Sequence, residues 1–306
     1  MEYVLEAQGL TKSYKNNRVL NGVTMHIGKG DIYGFVGENG SGKTTVIRLI
    51  CGLIYADEGE FSLFGTRDDD ASIREARARI GAIVESPSIY MNMSARDNLR
   101  MQCGILGIKN DEKCKEILAT VGLFDLWESK KHAGDFSLGM RQRLGIAMAL
   151  LGNPEFIILD EPMNGLDPTG IVEIRELILR LNRESGITFL ISSHILTELA
   201  LVATRYGIIK KGEIIKEITA QELEQVCTHT TTLKSADNEA LYAFLAPLYE
   251  DALTMTEDAV CIVGDVDLND LLGKIITSGI QLTAVNTHRS SIEDYYLSLV
   301  GGGKHA

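Results

Sequence analysis

The stretch Gly37-Glu38-Asn39-Gly40-Ser41-Gly42-Lys43-Thr44-Thr45 constrains this 306-residue chain more than any other part of it. It fits the pattern G-x-x-x-x-G-K-[ST], and its flanks supply the setting that pattern needs. Gly30 to Val36 reads as a short buried strand, and Val46, Leu49, Ile50, Leu53 and Ile54 recur at helical spacing. Between strand and helix, glycines let the backbone turn back so that successive N–H groups converge on one centre. The helix N-terminus adds its positive dipole. Lys43 is placed to reach the terminal phosphates of a nucleotide, and the Thr44 hydroxyl to ligate Mg²⁺. A glycine-rich turn without a ligand is the alternative, and the correct flanks argue against it. Alone, the loop announces a triphosphate site and leaves its purpose open.

Length allows one large domain and a smaller one. Charge narrows the partners. The chain carries a net −12, and residues 229–306 hold eleven Asp/Glu against four Lys/Arg, a net −7. An acidic tail of this kind is a poor binder of nucleic acid, so no nucleic-acid partner is expected. Five scattered cysteines without a C-x-x-C pair predict reduced thiols in a cytosolic protein rather than a disulfide framework or a zinc site. The first residues show no secretion signal. No apolar run approaches the roughly 18 residues a membrane span requires, and the longest, Ile146 to Leu151, reads as a buried helix segment.

In chain order, Val4–Ala7 and Gly22–Ile27 read as strands around a turn at Lys15–Arg18, with Tyr14 where the turn begins. Such a tyrosine is either a plain hairpin residue or a platform on which an adenine ring stacks. Asp68-Asp69-Asp70 reads as a solvated turn feeding a helix from Ala71, and another strand covers Ile80–Val84. From about 88 to 152 the pattern becomes helical, with helices expected over Ser94–Leu99, Glu112–Val121 and Arg141–Leu151, and Trp127 in their core. Glu155–Glu161 then reads as a buried parallel strand, followed by a helix over Ile171–Glu184, a second buried strand over Ile187–His194, and a closing hairpin over Gly207–Ile215. From about Thr219 the signals weaken. Helical spacing at 239–245, 268–277 and 292–300, with strands at 231–233, 259–263 and 281–285, predicts a small α+β domain, and the Gly301–Gly303 tail should be disordered. The expected division is 1–220 and 221–306.

Both buried strands end in polar residues. Asp160 can hold Mg²⁺ through its water shell, Glu161 can accept a proton from attacking water, and His194 can orient that water against a γ-phosphate. A helix-capping pair and a satisfied core histidine are the bland readings of the same residues. Their joint occurrence at strand tips beside a phosphate loop favours the functional one.

With those motifs assembled, the chain resembles the nucleotide-binding subunits of ATP-binding-cassette transporters. Phe136-Ser137-Leu138-Gly139-Met140 is similar to the family's signature motif, with Leu138 and Met140 replacing its usual glycine and glutamine. Asn164-Gly165-Leu166-Asp167 matches the loop after the second carboxylate. The resemblance implies a P-loop α/β domain with a helical subdomain. It implies ATP and Mg²⁺ as ligands, a second copy whose phosphate loop faces Ser137 and Gly139, Asp167 at that interface, and Tyr14 against the adenine. Separate transmembrane permease subunits would form the pathway, with this chain peripheral on the cytoplasmic face of the membrane. Glu85 stands where the family normally has a glutamine that meets Mg²⁺ and the attacking water. An acid there resembles the bacterial cassettes that handle bacitracin and lantibiotics, which implies export of a peptide antibiotic for resistance or immunity. Other readings are a soluble cassette ATPase acting on ribosomes or nucleic acid, and a non-catalytic nucleotide sensor. The chain shows neither the doubled cassette nor the long coiled coil of the former, and Glu161 with His194 argues against the latter.

Overall fold

The computed structural model describes residues 2–226, 229–256, 258–289, 295–297 and 299. Its contacts divide the chain into two compact units, Met1–Ala220 and Gln221–Ala306.

The first unit opens with a long antiparallel hairpin, β1 (Tyr3–Tyr14) and β2 (Asn17–Gly28), turning at Lys15 in the left-handed region. β3 (Ile32–Val36) and α1 (Lys43–Ile50) bracket the phosphate loop. β4 (Glu58–Leu63) and β5 (Thr66–Arg67) complete a four-stranded sheet ordered β2-β1-β4-β5. After α2 (Ile73–Ala78) and β6 (Ile80–Ile83) come three helices of the insertion, α3 (Ala95–Leu106), α4 (Asp111–Thr120) and α5 (Leu138–Leu150). Trp127 is buried within this region. β7 (Phe156–Asp160), α6 (Pro168–Ser185), β8 (Thr188–Ser193), α7 (Leu196–Ala200), β9 (Arg205–Lys210) and β10 (Glu213–Thr219) finish the unit.

Six of these strands form the second sheet, ordered β10-β9-β3-β8-β7-β6, all parallel except β10. β3, β7 and β8 are buried at every residue, as strands covered on both faces must be. That explains why they read as unbroken apolar runs. One core joins α1 to both sheets: Val46, Ile47, Leu49 and Ile50 share it with Leu5, Leu10, Met25 and Phe61 of the first sheet and Phe35 and Ile158 of the second. Glu217 on β10 binds the sheets together, accepting from Tyr33 Oη at 2.7 Å on β3 and from the His26 backbone N–H at 3.1 Å on β2.

The second unit begins within α8 (Ala220–Val226), after which the order is β11 (His229–Ser235), α9 (Asn238–Tyr249), β12 (Leu253–Met255), β13 (Val260–Val263), α10 (Leu268–Thr277) and β14 (Leu282–Arg289). The sheet is antiparallel and ordered β12-β13-β11-β14, the split β-α-β arrangement of ferredoxin-like folds. Leu241, Leu245, Leu271 and Ile275 of the helices close over Leu233, Leu253, Val260 and Ile262 of the strands. Of the helix expected over 292–300, residues 295–297 and 299 are helical, while the remaining positions and the Gly301–Gly303 tail lie outside the described residues.

Candidate nucleotide site

The loop from Gly37 to Gly42 leaves β3 at the C-terminal end of the parallel sheet. Gly37 is enclosed: a Cβ there would meet the Ile209 carbonyl at 2.5 Å and Ser41 Oγ at 2.7 Å, so no other residue fits. Gly40 (φ 80) and Gly42 (φ 112) take backbone conformations that residues with side chains rarely adopt. Asn39 and Gly40 are exposed at the tip, while Ser41, Gly42, Lys43 and Thr45 are buried. α1 starts at Lys43 with no side chain capping it, which leaves its dipole end to the loop.

Lys43 is 5% exposed. Its ammonium donates to the carbonyls of Gly37 (2.7 Å) and Glu38 (3.3 Å) and lies 3.3 Å from Glu161 Oε1. Two carbonyls thus aim one amine into the cradle. Beside it, the Thr44 hydroxyl donates to Asp160 Oδ2 at 2.9 Å, and Ser192 Oγ donates to Asp160 Oδ1 at 2.5 Å. Asp160 is only 3% exposed, so both hydroxyls are needed to satisfy its carboxylate. Glu161, next in the chain, has φ 52, and its N–H donates to Ser192 Oγ at 2.9 Å. His194 Nδ1 lies 2.8 Å from Glu161 Oε2. Lys43, Thr44, Asp160, Glu161 and His194, five residues picked from the sequence, therefore meet at the tips of β7, β8 and the start of α1.

The residues present fit a magnesium triphosphate. Ser41 Oγ is buried without a hydrogen-bond partner, and buried Glu161 Oε1 has only the Lys43 ammonium beside it, at 3.3 Å. The Thr44 hydroxyl and the Asp160 carboxylate, 2.9 Å apart, are the hard oxygen ligands Mg²⁺ takes when phosphates and water complete its shell. Among the described residues no group of three or more His, Cys, Asp or Glu could hold a metal ion by itself.

Other expected residues lie apart from this cluster. Tyr14 ends β1, 44% exposed, with Lys12 Nζ 5.9 Å from its ring centre. Asp57 fixes that corner, accepting from Lys12 Nζ (2.7 Å) and the Ser13 N–H (2.6 Å), and the Lys12 bond holds its carboxyl below the usual range. Ser137 caps α5 by accepting from the Met140 N–H at 3.2 Å, and Gly139 lies in the first turn. Asp167 caps α6 in the same way through the Gly170 N–H at 3.0 Å. Gly139 is close to Leu166 and Gly170, so the two caps share one surface. Glu85, with φ 64 just past β6, forms an ion pair with Arg48 of α1.

Three residues near the site escaped sequence reading. Ser192 was one polar residue among Ser192-Ser193-His194, and only the β7–β8 register, Asp160 against Ser192, reveals its role. Arg48 was an ordinary polar position of α1. Glu198 on α7 comes under the charges of His194 and Glu161. Beyond β6, a groove of about 480 Å³ opens between strand and insertion, lined by Val84, Pro87, Gln102, Leu106, Gly145 and Met148.

A phosphate loop at the tip of a parallel sheet, acids on the neighbouring strand, a histidine on the next and a helical insertion define a cassette-type P-loop ATPase. The sequence model of the ABC transporter family matches residues 20–164, and the chain belongs to that family as an ATP-hydrolysing subunit. A second model, described as an AAA domain of a putative AbiEii toxin (type IV toxin–antitoxin system), matches residues 131–200. The bacitracin transport ATP-binding protein BcrA of Bacillus licheniformis is 38% identical over 99% of this chain and 99% of its own length. The lantibiotic transport ATP-binding protein SrtF of Streptococcus pyogenes is 42% identical over 70% of this chain and 90% of its own. The dimeric post-hydrolysis structure of the cassette MJ0796, bound to ADP and Pi, superposes with a TM-score of 0.63 at 25% identity, covering 71% of this chain and 98% of that one.

Proposed function

We propose that this chain powers export of a peptide antibiotic of the bacitracin or lantibiotic kind, working as a dimer on the cytoplasmic face of a membrane. The meeting of Lys43, Thr44, Asp160, Glu161 and His194 carries the motor half of this reading. The cargo rests on likeness to a bacitracin transport protein over the full chain and to a lantibiotic transport protein over 214 residues.

In this reading, backbone N–H groups of Gly40 to Thr45 and the Lys43 ammonium bind the phosphates, with Asn39 at the loop tip and Ser41 Oγ turned inward. Thr44 and Asp160 would hold Mg²⁺, which would supply positive charge to stabilise the phosphates during transfer. Glu161 takes the proton of the attacking water as the γ-phosphate is transferred to it, leaving ADP and phosphate. The Ser192 bond fixes the backbone of that glutamate, and His194 orients its carboxylate. Tyr14 stacks on the adenine. Ser137 and Gly139, at a helix N-terminus, face the nucleotide of the partner subunit, and Asp167 lies at the joint; the dimeric solved relative supports that arrangement. Closure follows because the closed dimer binds ATP better than the open one.

Among the described residues no helix is long and apolar enough to cross a membrane; in this reading the pathway belongs to separate permease subunits, as likeness to transport ATP-binding proteins supports. The groove beside β6, with the neighbours of Glu85 in its wall, is the seat for a helix of that partner. Glu161→Gln is expected to cut turnover at least about 100-fold while an ATP-loaded dimer accumulates on size exclusion. Turnover at the wild-type rate would remove Glu161 from the mechanism.

A further inference from the structure

Three acids crowd the same end of the parallel sheet. Asp160 and Glu161 close β7, and β6 pairs with β7 in the register Ile83 against Leu159. Glu85 follows two residues after Ile83, as Glu161 follows two residues after Leu159. Both glutamates have left-handed backbones, φ 64 and φ 52, so each strand ends in a glutamate whose chain turns sharply. Each also has its own cation. Lys43 lies against Glu161, and Arg48 pairs with Glu85. Thr44 and Arg48 stand four residues apart on α1 and so share a face, with Cβ atoms about 6 Å apart. The Glu85 carboxylate is therefore held on the order of 10 Å from Thr44, about one screening length in physiological salt.

A terminal phosphate at Lys43 and Thr44 would meet the field of that carboxylate. We propose that Arg48 is a positioning residue that makes the acid at position 85 compatible with a triphosphate. It keeps the carboxylate on the second turn of α1 and cancels its charge there. The inference rests on reading Lys43 and Thr44 as the terminal-phosphate site. The ion pair is 37% exposed on the arginine side and 61% on the glutamate side, so it adds little to stability and its loss leaves a folded chain. Its electrostatic effect falls on the phosphate that ATP has and ADP lacks. A pair that merely tied the loop after β6 to α1 would make no such distinction.

Displacement of fluorescent nucleotide from the full-length chain, without Mg²⁺, tests this. Arg48→Gln is expected to weaken ATP binding by up to about twofold and to weaken ADP binding less. Arg48→Lys should recover most of the loss, and Glu85→Gln placed in the Arg48→Gln chain should recover it too. Equal losses for ATP and ADP, or a loss that persists in the double variant, would overturn the assignment. A wild-type chain that binds neither nucleotide overturns the phosphate-site reading itself, and this inference with it.

Discussion

Glu198 shows how the site reshapes a single side chain. Burial pushes its carboxyl above the usual range, the negative charge of Glu161 adds to that, and His194 opposes both. An acid that binds its proton more tightly when folded contributes most below its unfolded pKa. That contribution is lost as pH rises from about 4.5 through the folded value. Glu198→Gln should therefore melt about 2 °C above the wild type at pH 7.5, with the gap closing toward pH 4. A constant gap across that range in calorimetry would mean the charge of Glu198 is not what costs stability. At this scale the sequence was half legible. Lys43, Asp160 and His194 carry their chemistry in their type and local setting. Ser192 and Arg48 acquire theirs from Asp160 and Glu85, 32 and 37 residues away, through tertiary contacts that no short window contains; Glu198 acquires its own from burial and from His194 and Glu161 together.

Among the elements, β9 shows how tightly the sheet that seats the loop is built. A Cβ on Gly207 would fall on the phenol of Tyr33 in β3. That phenol is fully buried, pushed well above its usual pKa by burial and then by Glu217, to which it donates. Gly207→Ala is expected to cost about 1–3 kcal/mol in urea unfolding, and Tyr33→Phe about 1 kcal/mol. The double variant should recover part of the first loss, since phenylalanine removes the hydroxyl but keeps ring carbons at 2.6 and 2.8 Å. Tyr33→Leu in its place should recover more. The strands of this sheet and α10 were legible because burial on both faces, or on one stripe, writes a plain apolar pattern. α3 runs on to Leu106; the expectation stopped near Leu99 because the second half exposes Met101 and Ile105 and contains Gly104, which blurs the helical period. β12 was missed because three residues with only Leu253 buried leave no period to read.

For the whole molecule, composition marked the more acidic end, and the contacts divide the chain at Ala220 and Gln221. The second unit has its own core of leucines, isoleucines and valine, and the lantibiotic relative aligns over 214 residues, close to the length of the first unit. A chain ending at Val226 should then hydrolyse ATP within about twofold of the full chain in a steady-state assay. A loss above about tenfold would assign the second unit a part in assembling the site.

The sheet order has a consequence for how the protein is made. β3, which delivers the phosphate loop, lies between β8 and β9, and Ile32 pairs with Phe189, 157 positions later. At about 5–20 residues per second, a ribosome releases the loop on the order of ten seconds before it has synthesised the strands that seat it. No nucleotide can serve as an early template, and the nascent first third must stay free of false strand partners until its own arrive. Delay of that kind makes the segment between β6 and β8 the stretch where synthesis speed and chaperone capture govern yield.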